Sequence, residues 1–272
     1  MKVSIIVTVY KDVEALRLIV KALQTQTYKN FELIVAEDGA SKEMKKFVSS
    51  VEGLDIKHTT QEDRGVRKAR SQNNAVLASI AEYLIFIDGD CIPYKNFIEG
   101  HVVLSEKERV LTGRRFNIPK EMVTKIKSGF LKIEELEDNL WRYFYLIFKK
   151  SVRFRQGIYI NPNSVLYKLI NKRDISVAIL GCNFSCFRDD MLALNGFDES
   201  YGETAIPDDI DLEWRFKAKG LELKSCKNVA NMFHLDHNIH DRGDATPLLA
   251  IMNERKKAGK YRCEMGLNTH NV

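Results

Sequence analysis

The 272-residue chain reads as an α/β fold with a mostly parallel central sheet flanked by helices, and three observations predict it. Short β-rich runs alternate with amphipathic stretches from Val3 onward, the pattern of consecutive βαβ units. The runs are nearly continuous in apolar character, as strands buried on both faces are. Acidic residues stand at the carboxyl ends of two of them, Asp38 and the Asp88-Gly89-Asp90 triplet, on the side where open α/β sheets keep their ligands.

Taken in order, Val3 to Tyr10 (VSIIVTVY) is a β-branched central strand. Asp12 to Gln24 carries Val13, Leu16, Ile19, Val20 and Leu23 at helical spacing, with Asp12 as N-cap. Phe31 to Ala36 is a second strand, followed by Glu37-Asp38-Gly39-Ala40-Ser41 and a helix from Lys42 to about Val51. Ile56 to Thr59 is a short third strand, a helix runs from about Val66 to Ser79, and Tyr83 to Ile87 is the fourth strand. A helix over Asn96 to Ser105 precedes one strand over Arg109 to Asn117.

From Pro119 the character changes, because Phe130, Ile133, Leu136, Leu140, Phe144, Ile147 and Phe148 follow helical spacing among further aromatics, closed by Lys149-Lys150. Sheet character returns at Ser176 to Cys186, then come a helix near Asp189 to Leu194 and a helix from about Asp208 that ends at Gly220, a left-handed C-cap. Leu221 to Ser225 and Val229 to Leu235 are late strands. The expected organisation is a single domain over 1–272, with a nucleotide-binding half at 1–117, a basic helical insertion at 118–175, and an acceptor and catalytic half at 176–272.

Composition narrows the class. With 44% hydrophobic and 29% charged residues the chain is that of a globular protein with a sizeable core. No apolar run approaches the ~18 residues needed to cross a bilayer, and no signal-peptide pattern follows Met1, so a cytoplasmic protein is expected. Five cysteines without paired Cys-x-x-Cys spacing read as reduced thiols rather than a zinc site. Net charge is +5, yet residues 114–176 hold fourteen Lys or Arg against six Asp or Glu, +8 in one block and −3 elsewhere. Such a block suits an anionic membrane surface, a phosphorylated substrate or nucleic acid.

An Asp-Gly-Asp triplet is by itself a common turn. At the end of a buried strand, its paired acids also suit a hard divalent cation carrying a diphosphate, with glycine admitting a close approach. In a parallel sheet the ends of strands two and four share an edge, so Asp38 faces the same crevice as Asp88 and Asp90. The Asp208-Asp209-x-Asp211 group at a helix start adds carboxylates that serve either as helix caps or as a general base.

Five ordered motifs, SIIVTVY at 4–10, EDGAS at 37–41, GVRKARS at 65–71, FIDGDC at 86–91 and GFDESYG…DDIDLEWRFKAKG at 196–220, resemble the family 2 glycosyltransferases of GT-A fold. The resemblance covers roughly residues 1–117 and 176–237. The later motifs are similar to the branch with a galactosyltransferase-type C-terminal module. Where that branch usually carries Trp-Gly-Gly-Glu-Asp, this chain has Gly202-Glu203-Thr204-Ala205-Ile206-Pro207-Asp208.

The resemblance implies an inverting, metal-dependent transfer from a UDP-sugar, galactose or an N-acetylhexosamine being favoured, to a saccharide or lipid-linked saccharide. It implies that Asp38 reads the uracil ring with Tyr10 lining the base pocket, that Arg70 helps hold the nucleotide, and that Asp88 binds the ribose hydroxyls. Asp90 would coordinate Mn²⁺ or Mg²⁺ between the phosphates, His234 would be a further metal ligand, and Asp209 would be the general base. Plainer alternatives stand beside these: a turn cap for Asp38, a solvated helix charge for Arg70, a core histidine for His234; Arg215 either orients one of the acids at 208–211 or makes a surface ion pair. His237 and His240 are expected only to line a polar loop.

The basic, aromatic stretch at 118–175 is either an ordinary packed helix or a peripheral contact with the inner face of the membrane. Two other functions compete. A nucleotidyltransferase shares the sheet and the metal but normally opens with a glycine-rich loop, and Val9-Tyr10-Lys11-Asp12 has no glycine. A non-catalytic binder of nucleic acid or of an anionic surface would use the +8 block, although no nucleic-acid partner is expected.

Overall fold

The computed structural model describes residues 1–148, 154–170, 178–204, 208–236 and 244–270. Lys149-Lys150, the Ser176 end of the returning strand, Ala205-Ile206-Pro207, His237 and His240 lie outside the described residues.

The first half is built as its periodicity dictates. β1 (Val3–Val9) leads to α1 (Val13–Gln24), β2 (Phe31–Glu37), α2 (Lys42–Ser49), β3 (Ile56–Thr59), α3 (Lys68–Ala78) and β4 (Tyr83–Asp88). Asp12 caps α1 by accepting from the Ala15 amide at 2.9 Å, and Ser41 caps α2 by accepting from Met44 at 3.1 Å, each meeting an otherwise orphaned donor. The other elements are β5 (Cys91–Pro93), α4 (Phe97–Leu104), β6 (Arg109–Thr112), β7 (Phe116–Ile118), α5 (Lys120–Lys127), α6 (Ile133–Asp138), α7 (Val165–Ile170), β8 (Phe184–Phe187), α8 (Arg188–Ala193), α9 (Asp208–Ala218), β9 (Glu222–Ser225), β10 (Met232–Leu235) and α10 (Thr246–Lys257).

A seven-stranded sheet has the order β3-β2-β1-β4-β8-β6-β9, parallel except that β8 runs antiparallel to both its neighbours. Apolar layers fill both faces, with Ile5, Val7, Leu33 and Ile85 on one and Ile6, Ile34, Leu84 and Phe86 on the other, which is why these strands read as unbroken apolar runs. A second sheet, β5-β10-β7, begins just past the carboxyl end of β4, where ligands are expected.

Three sequence expectations change. Of the strand expected over Ser176 to Cys186, only the part from Phe184 is strand, in β8, and the described residues 178–183 are loop and turn. The run over Arg109 to Asn117 is two strands in different sheets, because the chain turns at Gly113, where a Cβ would stand 2.3 Å from the Asn183 side chain. The helical pattern from Phe130 to Phe148 is not one helix but α6 followed by a 3₁₀ segment over Leu140–Phe148, with Tyr143 non-helical at φ −101° and ψ 18°. The apolar spacing there serves packing all the same, since Leu140 and Tyr143 turn inward onto the core that Tyr167 of α7 also joins. Gly220 closes α9 at φ +96°, with the Leu221 amide returning to the Phe216 carbonyl.

Candidate active site

Register in the parallel sheet brings Asp38 and Asp88 together at the end of β1. Asp88 is the β1 partner of Thr8 and Glu37 is the partner of Val9, so Asp88 and Asp38 flank the end of β1 with Tyr10 emerging between them. Tyr10 is 53% exposed, and the Lys11 ammonium lies 4.6 Å from its ring centroid while pairing with Asp63 at 2.7 Å. Asp38 is buried and serves the loop before α3: it accepts from Gln61 Nε2 at 2.6 Å and from the Arg67 amide at 2.8 Å.

The glycine of the Asp-Gly-Asp triplet has a reason within the chain itself. A Cβ at Gly89 would stand 2.9 Å from the Thr8 carbonyl oxygen, so the triplet packs against the end of β1 and a larger residue would push the two acids away from it.

The second sheet brings His234 to Asp90. Antiparallel pairing of β10 with β5 sets His234 opposite Cys91, and His234 Nε2 reaches Asp90 Oδ2 at 3.2 Å. The Cys91 thiol donates to the other Asp90 oxygen at 3.1 Å. Residues 144 positions apart thus present a carboxylate oxygen and an imidazole nitrogen to one point, a donor set that suits Mn²⁺ or Mg²⁺, with the nitrogen favouring Mn²⁺. Among the described residues no group of three His, Cys, Asp or Glu side chains is arranged to hold a metal. Asp90 and His234 are the residues that would hold a cation here.

Asp209 sits in the first turn of α9 and accepts from the Gly181 amide at 2.9 Å. A Cβ at residue 181 would stand 2.0 Å from Asp209 Oδ1, so only glycine lets the carboxylate in. Burial and then the neighbouring Asp208 charge push the Asp209 pKa up to about 6, against the opposing pull of Lys68 and the Gly181 amide. A carboxylate so placed is ionised near neutrality yet basic enough to take a proton.

Lys68 joins the two sides. Its Nζ lies 3.0 Å from Asp88 Oδ1 and 3.2 Å from Asp208 Oδ2. Burial opposes its charge, but Asp88, Asp208 and Asp209 outweigh that and hold its pKa well above the usual lysine range. In sequence Lys68 is one of four cations between Arg64 and Arg70, and nothing local distinguishes it; only the meeting of β4 with α9 does.

Arg70 has another partner than the expected nucleotide, and Arg215 holds one of the α9 acids from inside the fold. Arg70 pairs with Glu199 at 3.2 Å, and Glu199 also holds Asn73 and the His270 ring, so Arg70 faces the C-terminal segment in this structure. Arg215 is not on the surface: 1% exposed, it pairs with Asp211 at 3.0 Å and donates to the carbonyls of Tyr261, Leu194 and Gly196. All five cysteines are buried free thiols.

The model of glycosyl transferase family 2 matches residues 4–173. The chain belongs to this family. A Campylobacter jejuni family relative named GalNAc(5)-diNAcBac-PP-undecaprenol beta-1,3-glucosyltransferase is 22% identical over 219 residues, 74% of this chain and 70% of that protein. Glycosyltransferase AglE of Haloferax volcanii is 30% identical over 103 residues, 36% of this chain and 33% of its own length. The match spans only 22% and 18% of two Rickettsia proteins named as uncharacterized glycosyltransferases.

Among solved structures, S. aureus TarS 1–349 in complex with UDP-GlcNAc aligns with a TM-score of 0.62 at 13% identity, over 98% of this chain and 69% of that one. The mannosyltransferase PcManGT from Pyrobaculum calidifontis, in complex with GDP-Man and Mn²⁺, aligns with a TM-score of 0.56 at 12% identity, over 95% and 62% of the two chains. This family 2 chain accordingly has the GT-A fold.

Proposed function

We propose that the protein is an inverting glycosyltransferase that moves a sugar from a UDP-sugar to a saccharide or lipid-linked saccharide, with Mn²⁺ or Mg²⁺ as cofactor and Asp209 as general base. One observation carries this reading: the Lys68 ammonium brings the donor-side Asp88 and the α9 acids to one point, two residues from the Asp90–His234 pair.

In this reading Tyr10 packs against the uracil ring, Asp38 accepts from it, and Asp88 accepts from the ribose hydroxyls. A cation held by Asp90 and His234 would offset the charge that develops on the departing nucleoside diphosphate. Asp209 takes the proton of the attacking acceptor hydroxyl while that oxygen displaces the diphosphate from the opposite face of the anomeric carbon. Arg70 reaches the nucleotide only if it leaves Glu199. UDP-GlcNAc in TarS favours an N-acetylhexosamine over galactose as the donor sugar, and the undecaprenol-linked saccharide in the name of the Campylobacter relative favours a lipid-linked acceptor. Exposed aromatics and lysines at 118–170 support peripheral contact with an anionic membrane, from the cytoplasmic side.

The test is nucleoside diphosphate release and thermal shift with Mn²⁺ and a panel of nucleotide sugars. A UDP-sugar should stabilise the protein and turn over; absence of both with every divalent metal sinks the reading. Asp209→Asn should keep UDP binding and lose transfer by about 10³-fold or more. Asp90→Ala should abolish metal-dependent UDP binding, whereas Asp88→Ala should weaken the nucleotide and leave metal dependence in place.

A further inference from the structure

Lys68 is assigned no step of the transfer in the reading above, yet its ammonium touches carboxylates from both halves of the cleft. Its side chain is 18% exposed, Asp88 lies at the end of β4 and Asp208 at the head of α9, 120 residues later in the chain. Three carboxylates, those of Asp88, Asp208 and Asp209, act on this single ammonium. Without it they would repel one another across a partly desolvated cleft, and α9 would lose its charged tie to Asp88.

The backbone that carries Lys68 is itself fixed from the nucleotide side. Asp38 accepts from the amide of Arg67, the residue before Lys68, and from Gln61 at the start of the same loop. Arg64 in that loop pairs with Glu203 at 2.9 Å, a second link toward the residues that precede α9. The loop over 61–68 therefore receives its position from the base-side acid and passes it on to the acids of α9.

We propose that Lys68 is a positioning residue that sets the ribose-side carboxylate and the first turn of α9 in one register, so that seating of the nucleotide and placement of the base are fixed together. The idea rests on the donor-site reading above. It differs from direct diphosphate binding by Lys68, because Lys68 acts here through Asp88 and Asp208. Asp88 aimed by Lys68 serves a nucleoside with no phosphate as well as it serves UDP.

Lys68→Met and Lys68→Arg test this on the full chain, with affinity for UDP and for uridine measured by ligand-observed NMR, transfer rate measured under saturating donor, and thermal unfolding as the check on folding. Lys68→Met is expected to weaken uridine and UDP by a similar factor, about threefold to tenfold, and to lower kcat by about tenfold or more. Lys68→Arg, which keeps the charge and two-sided reach, should recover most of both. If Lys68→Met weakens UDP and leaves uridine unchanged, Lys68 is a diphosphate ligand and the proposal falls. It also falls if kcat stays within about twofold of the parent, or if Lys68→Arg behaves as Lys68→Met while folded. Failure of the unaltered protein to bind either ligand overturns the donor-site reading instead, and this inference with it.

Discussion

Asp209 shows what a residue's surroundings add to its identity. Its carboxylate belongs to an acidic helix start, a common and usually unremarkable placement. Burial and Asp208 raise its pKa to about 6, so the ionised, proton-accepting form is lost as pH falls through that value. If Asp209 is the base, kcat/KM should decline with unit slope below about pH 6, measured with donor in excess. Asp208→Asn removes a neighbouring negative charge, which favours ionisation of Asp209, so the acid limb should move to lower pH; a limb that stays in place or moves up would assign it to another group. The sequence displays both acids. It does not display Gly181 as the residue whose missing side chain makes room for one of them.

At the level of elements, α9 is held from behind by a buried ion pair. Asp211 accepts from Tyr201 Oη at 2.8 Å, from Trp214 Nε1 at 3.0 Å and from Arg215 Nη1 at 3.0 Å, so every charge in the cluster has close partners. Arg215 also ties α9 to the turn after α8 and to the segment after α10. Arg215→Ala would leave Asp211 buried without its counter-charge and should cost about 3–5 kcal/mol in chemical denaturation. A loss below about 1 kcal/mol would mean the pair is solvated. The i, i+4 spacing of Asp211 and Arg215 is visible in sequence, but the same spacing describes any exposed helix pair. The strand over Arg109 to Asn117 fails for a related reason: nothing local announces that Gly113 must pass beside Asn183.

For the whole molecule, the basic block and the exposed apolar residues coincide. Phe130 (82% exposed), Trp141 (71%), Phe144, Tyr145, Val165, Leu166 and Leu169 face outward, while Leu140, Tyr143 and Tyr167 from the same segments face the core. Lys120, Lys125, Lys127, Lys132, Arg142, Arg155 and Lys168 are exposed in the same stretch. No described helix is long and apolar enough to cross a membrane, so contact would be with the bilayer surface. Flotation with anionic liposomes at low salt should carry the protein, neutral liposomes should not, and Trp141→Ser with Phe144→Ser should reduce binding about tenfold. Equal recovery with both lipids, or none with either, would remove the membrane from the account.

The sequence by itself determined the alternation of strand and helix, the parallel core, the cap at Asp12 and the family, because each follows from local periodicity or from ordered motifs a few residues long. It also marked Asp38, Asp88, Asp90, Asp209 and His234 as the residues to watch. Only the tertiary structure decided which of them meet: β10 pairing with β5 delivers His234 to Asp90, and α9 arriving beside β4 delivers Asp208 to Lys68. The physical reason is that a charge acts through space. A lysine among other cations in the chain becomes the shared counter-ion of two distant carboxylates once the fold brings them within about 3 Å of it.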